Sequence, residues 1–108
     1  SVGNTHLQTS KVAKIDFNKI LEIQNITKLP LVLHGSSGIS NNIRKKVARM
    51  TNVAKFNIGT ELRKTFGDSL RVSLKNNPET YDKIQLLDST ANDIKKATKI
   101  VIENLSKV

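Results

Sequence analysis

The sequence predicts an α/β chain with parallel strands that form part of a barrel or larger sheet. Three observations point to this class. A short apolar run, Leu31-Val32-Leu33, and a second strand-like stretch, Val53 to Ile58, flank a segment with helical periodicity; a strand–helix–strand unit with a helical crossover requires parallel strands and a right-handed connection. Each run is followed by a glycine-containing turn that leads into a further helix. Two strands, or three with a candidate strand at residues 1–5, leave open edges that natural sheets cover. The 108 residues are too few for a complete (β/α)8 barrel, which needs about 250. Leu, Ile, Val and Phe nevertheless supply 33 of the 108, well above the level of a disordered chain, so a real core is expected.

The elements follow in order. Phe17, Ile20, Leu21 and Ile23 recur at helical spacing over residues 16–27, with Asp16 as N-cap or first-turn acid, and Pro30 ends that region. Leu31-Val32-Leu33, continuous and apolar, reads as a strand buried on both faces. Gly35-Ser36-Ser37-Gly38 is a tight loop, and Ser40 caps the next helix. That helix presents Ile43, Val47 and Met50 on one face and Arg44, Lys45, Lys46 and Arg49 on the other. Val53 to Ile58 is the second strand. Gly59-Thr60 turns into a helix with Leu62, Phe66, Leu70 and Leu74 four apart, stopped by Asn77-Pro78. Residues 79–88 read as a connector anchored by Tyr81, Ile84 and Leu87. A last helix is expected from Thr90, whose spacing to Asp93 suits a capping box, with Ile94, Ala97, Val101 and Leu105 as its buried stripe. No repeat, low-complexity segment or linker interrupts the chain, so residues 1–108 read as one region.

Composition narrows the function. The chain has no cysteine, which excludes disulfides, thiolate metal sites and cysteine nucleophiles and accords with a cytoplasmic location. No apolar run approaches the roughly 18 residues of a membrane span, and no secretory leader is visible. Lys and Arg number 18 against 9 Asp and Glu, a net charge of +9. Most of the excess falls in residues 1–60, which suggests an anionic partner: nucleic acid, acidic lipid or a phosphorylated metabolite.

In parallel α/β folds, ligands bind at the carboxyl ends of the strands. One strand here ends in His34-Gly35-Ser36-Ser37-Gly38 and the other in Asn57-Ile58-Gly59-Thr60. If the strands are neighbours, both motifs share a rim. Backbone N–H groups of the Gly-Ser loop, the Ser37 hydroxyl and the start of the helix at Thr60 can then hold a phosphate. The plainer alternative is a turn followed by a capped helix. His34 has a structural alternative too, but His6, the only other histidine, ends the candidate first strand, and imidazoles on two strand ends can converge on one metal. Catalytic zinc normally takes three protein ligands, and two histidines leave one to be found elsewhere.

Leu31 to Ile39, followed some twenty residues later by Phe56-Asn57-Ile58-Gly59-Thr60-Glu61-Leu62, resembles the class II, zinc-dependent fructose-/tagatose-bisphosphate aldolases. Gly3-Asn4-Thr5-His6, Lys14-Ile15-Asp16-Phe17 and the stretch from Arg63 through Asn77-Pro78 to Tyr81 also fit the family pattern, so the resemblance covers nearly the whole chain. It implies a (β/α)8 barrel of which this is the C-terminal portion: the last three βα units and the C-terminal helices, with the N-terminal half absent. It implies that His6 and His34 are zinc ligands, and that Leu7, Gly35, Ser37, Asn57 and Thr60 hold a phosphate of the sugar bisphosphate or of dihydroxyacetone phosphate. Asn57 would also approach the reacting end of the substrate. A monovalent cation (Na or K) would sit near the backbone of Leu7 and Gly35, with Ser37.

The implied reaction is reversible aldol cleavage of fructose or tagatose 1,6-bisphosphate to dihydroxyacetone phosphate and glyceraldehyde 3-phosphate. Zinc acts as Lewis acid and a carboxylate as acid/base, without a Schiff-base lysine. That carboxylate and a third histidine have no counterpart in this chain, so residues 1–108 alone are expected to be inactive. A homo-oligomer, dimer or tetramer, is implied as well. Three positions depart from the pattern: Leu7 stands where Gly is usual, Ser36 replaces a Gly, and Gly59 stands where fructose-type members often have Asp and tagatose-type members Ala. The choice of sugar therefore stays open.

Two other readings compete. A non-catalytic relative would bind sugar phosphate without cleaving it. A nucleic-acid module would use the basic face of Arg44, Lys45, Lys46 and Arg49. With one Tyr and three Phe, the latter set within apolar patterns, a base-stacking surface is poorly supported, and neither a nucleic-acid nor a membrane partner is expected.

Overall fold

Asp16 opens the first helix. Its side chain accepts the Lys19 N–H at 3.0 Å, pairing one of the donors that a helix start leaves without partners, and α1 runs over Phe17–Thr27. The computed structural model describes residues 2–3 and 14–106. After α1 come β1 (Leu31–Leu33), α2 (Asn41–Met50), β2 (Val53–Phe56), α3 (Thr60–Asn76) and α4 (Lys83–Leu105). Ser40 caps α2 by accepting the Ile43 N–H. Thr51 closes α2 by donating to the Val47 carbonyl at 2.7 Å, then accepts the Val53 N–H at the start of β2. Asn52 ties this corner to α1: its N–H donates to the Gln24 side chain and its amide to the Leu29 carbonyl.

β1 and β2 pair in parallel, as the strand–helix–strand pattern requires. Leu31 faces Val53, Val32 faces Lys55 and Leu33 faces Phe56. β2 therefore advances two residues where β1 advances one, and Ala54 is the extra residue of a bulge. The bulge changes which side chains share a face. Leu31, Leu33, Val53 and Phe56 pack with Ile20, Ile39 and Val47 in the core, joined by Val2, Ile15 and Phe17. Val32 and Lys55 point to the other face and are exposed.

Several expectations are corrected. β1 is buried on one face only, because Val32 is 49% exposed. β2 stops at Phe56 rather than Ile58. Of the candidate strand at residues 1–5, Val2 and Gly3 are not in a strand, and the remainder lies outside the described residues. The connector at 79–88 is largely helix: Asp82 accepts the Ile84 N–H at 2.7 Å and starts α4 at Lys83. Thr90, expected as a cap, lies inside α4, buried and donating to the Leu87 carbonyl. Tyr81 anchors nothing and is 89% exposed, and Ile84 and Leu87 are exposed as well.

The two long helices also pack on unexpected faces. Small polar residues make the α3–α4 seam. Ser69 donates to the Asp93 carboxylate at 2.6 Å and Ser73 to the Leu86 carbonyl at 2.9 Å, and both serines are buried. Both hydrogen bonds cross from one helix to the other. The apolar stripe of α3 is correspondingly left outward at Phe66 and Leu74. On α4, Val101 is buried as expected, joined by Thr90 and Asn104, while Ile100 and Ile102 are exposed. On α2, Val47 is buried but Met50 is exposed, and Arg44 and Ala48 complete the buried face. The radius of gyration is 17.0 Å, against about 13 Å for a compact domain of this length. No helix among the described residues is long and apolar enough to cross a membrane.

Candidate functional site

The parallel ladder continues past both strands and brings their ends together. Asn57 donates its N–H to the Leu33 carbonyl at 2.9 Å and accepts the Ser36 N–H at 3.2 Å. Ser36 is fully buried, and its hydroxyl turns back to the Leu33 carbonyl at 2.8 Å. This fixes the start of the turn. Gly35 and Gly38 take φ of 61° and 83°, a left-handed geometry open to glycine at little steric cost.

Because of the Ala54 bulge, Asn57 emerges on the same side as His34. Asn57 Nδ2 lies 3.0 Å from His34 Nδ1. A side-chain partner of this kind fixes the ring orientation of a histidine.

Ser37 joins the two turns. Its Oγ accepts the N–H groups of Gly59 at 3.3 Å and Glu61 at 3.1 Å. Gly59 has no side chain to cap α3, so the cap comes from the loop after the neighbouring strand. A hydroxyl has two acceptor positions and one proton; with both acceptor positions occupied, the proton is what Ser37 offers a ligand. Thr60 is the first residue of α3 rather than its cap, and its Oγ1 accepts from Arg63 Nη2 at 3.3 Å.

His34, Gly35, Ser37, Asn57 and Thr60 thus share one rim. His6 and Leu7 lie outside the described residues. Among the described residues, no group of three or more His, Asp or Glu side chains is arranged to hold a metal ion.

Two features escaped sequence reasoning. Arg63 reaches back to Thr60 and adds a cation at the rim; its position three residues after Thr60 on a helix was the available signal. Arg44, expected on the solvated basic face of α2, is 1% exposed. Its Nη2 lies 2.6 Å from Glu61 Oε2 on α3 and 3.4 Å from the Ile39 carbonyl. Helical spacing alone put Arg44 with Lys45 and Lys46, and nothing local marks its partner seventeen residues away. The basic face loses one of its four members, which further weakens the nucleic-acid reading. A shallow groove of about 490 Å³ between α3 and α4, lined by Asp68, Ser69, Asp93 and Lys96 among others, draws nothing from the strand ends. A comparison with protein families gives a match to the model described as fructose-bisphosphate aldolase class-II over residues 1–108.

Proposed function

Because this chain belongs to the class II fructose-bisphosphate aldolase family, we propose that its strand-end rim supplies the phosphate-binding wall and part of the metal site of a ketose-bisphosphate aldolase. On this reading the chain is the C-terminal portion of a (β/α)8 barrel. The substrate is fructose or tagatose 1,6-bisphosphate, cleaved to dihydroxyacetone phosphate and glyceraldehyde 3-phosphate.

The observation that carries the reading is Ser37 Oγ bridging to Gly59 and Glu61. One hydroxyl joins the turn after β1 to the N-terminus of α3; with the Gly59 and Glu61 N–H groups held by Ser37, the Thr60 N–H and the helix dipole favour an anion there. The phosphate sits against the Gly35–Ser37 turn, with the Ser37 proton and the start of α3 at Thr60 as donors. Arg63 adds positive charge at the edge. Leu7, through its backbone, completes the cradle, and a monovalent cation near Gly35 and Ser37 is part of the same proposal.

The donor chemistry suits zinc. His34 stands at the strand end with its ring held by the Asn57 amide, and imidazole is a common zinc ligand. His34, His6 and a third histidine from outside residues 1–108 would hold the ion. When bound, zinc supplies Lewis-acid polarisation of the ketose carbonyl. Asn57 orients His34 and faces the reacting end of the substrate. The acid/base carboxylate that moves the hydroxyl proton also comes from outside this chain, so residues 1–108 alone do not catalyse cleavage.

The test is metal analysis and an aldol-cleavage assay on the intact protein and its His34→Ala variant. The variant is expected to lose most of its zinc and its activity. Unchanged zinc content and turnover would contradict the proposal.

A further inference from the structure

Glu61 puts a carboxylate in the first turn of α3, beside the turn where the proposed function seats a phosphate; the inference here rests on that reading. A carboxylate in the first turn suits the helix dipole but opposes an incoming phosphate. At a separation of about one helical turn and an effective dielectric constant near 20, one uncompensated charge changes phosphate affinity by more than about tenfold.

Arg44 answers that charge. It is 1% exposed and lies 2.6 Å from the Glu61 carboxylate. Its Nε and Nη1 have no hydrogen-bond partner among the described residues. The guanidinium therefore depends on Glu61 for its charge partner. A buried ion pair of this kind is often no more stable than apolar residues of similar volume, so stability alone does not account for it.

We propose that Arg44 is a positioning residue for the substrate phosphate: it neutralises Glu61 so that the N-terminus of α3 remains receptive to an anion. The link to the site is short. The Glu61 backbone N–H is one of the two groups held by Ser37 Oγ, so the residue whose charge Arg44 cancels is also in contact with the phosphate-facing serine.

The experiment titrates the intact, zinc-loaded protein with inorganic phosphate and measures KM and kcat for the bisphosphate it cleaves. Arg44→Met is expected to weaken phosphate binding and raise KM more than about tenfold, with kcat changed less than about threefold. Arg44→Lys, which keeps the charge, is expected to stay within about threefold of wild type. The double variant Arg44→Met/Glu61→Gln also lacks the ion pair but carries no stranded carboxylate, and it is expected to recover phosphate affinity to within about threefold. A purely structural tether would not recover. If Arg44→Met fails to fold, the double and Arg44→Lys variants carry the same comparison. Phosphate binding unchanged in Arg44→Met, or a double variant as weak as a folded single one, would overturn the inference while leaving the proposed function standing. A wild-type protein that binds no phosphate would overturn both.

Discussion

Ser37 shows how one side chain can hold two turns together while, in the proposed function, facing a phosphate. Its hydroxyl replaces the cap that Gly59 lacks and joins two strand-end turns. Ser37→Ala in the intact protein is expected to reduce stability by about 1 kcal/mol, the usual effect of losing a helix cap. It is also expected to raise KM for the bisphosphate, through the lost O–H donor. Denaturant unfolding and steady-state kinetics check the two effects separately. A stability loss with KM unchanged would assign Ser37 to the fold alone. At this scale much of the site was legible, because Gly, Ser, Asn and Thr at strand ends have few roles and share the chemistry of anion binding. Arg44 was not legible: its burial depends on Glu61 arriving from another helix, and local periodicity carries no trace of that.

Among the elements, the bulge in β2 does the most for the site. It keeps Val53 and Phe56 in the core while turning Asn57 toward His34. Bulges commonly re-aim side chains next to active sites. Deleting Ala54 should restore regular pairing and move either Asn57 or the core residues to the wrong face. The expected result is a loss of aldol cleavage of at least 100-fold, larger than any change in secondary structure by circular dichroism; full activity in the deletion variant would remove the bulge from the account. The parallel pairing, α1 with its Asp16 cap and α2 with its Ser40 cap were readable from apolar runs and cap residues. The Ala54 bulge was not, since Val-Ala-Lys-Phe has no glycine to mark it. The start of α4 was misplaced because Asp82 and Thr90 are both competent N-caps. Asp82 prevails through its bond to Ile84, which leaves Thr90 to the helix interior. The faces of α3 and α4 were misjudged because Ser69 and Ser73 build the seam through hydrogen bonds that hydropathy does not weigh.

For the whole molecule, the shape accords with the proposed place in a barrel. The chain is extended, β1 buries only one face, and apolar side chains on α3 and α4 remain outward. If the exposed face of β1 lines a barrel interior, Val32→Asp is expected to destabilise the intact protein by about 2 kcal/mol or more, because it buries a charge in place of an apolar group. Thermal unfolding of the intact variant checks this, and an effect within about 0.5 kcal/mol, as for an exposed position, would place Val32 at solvent. In the proposed function, the rim joined by Ser37 holds a substrate phosphate next to the metal. The most direct test is a crystal structure of the intact zinc-loaded protein with dihydroxyacetone phosphate. The phosphate is expected against the Gly35–Ser37 turn and the start of α3, with His34 on the zinc; a phosphate seated elsewhere, with His34 away from the metal, would overturn the proposed function.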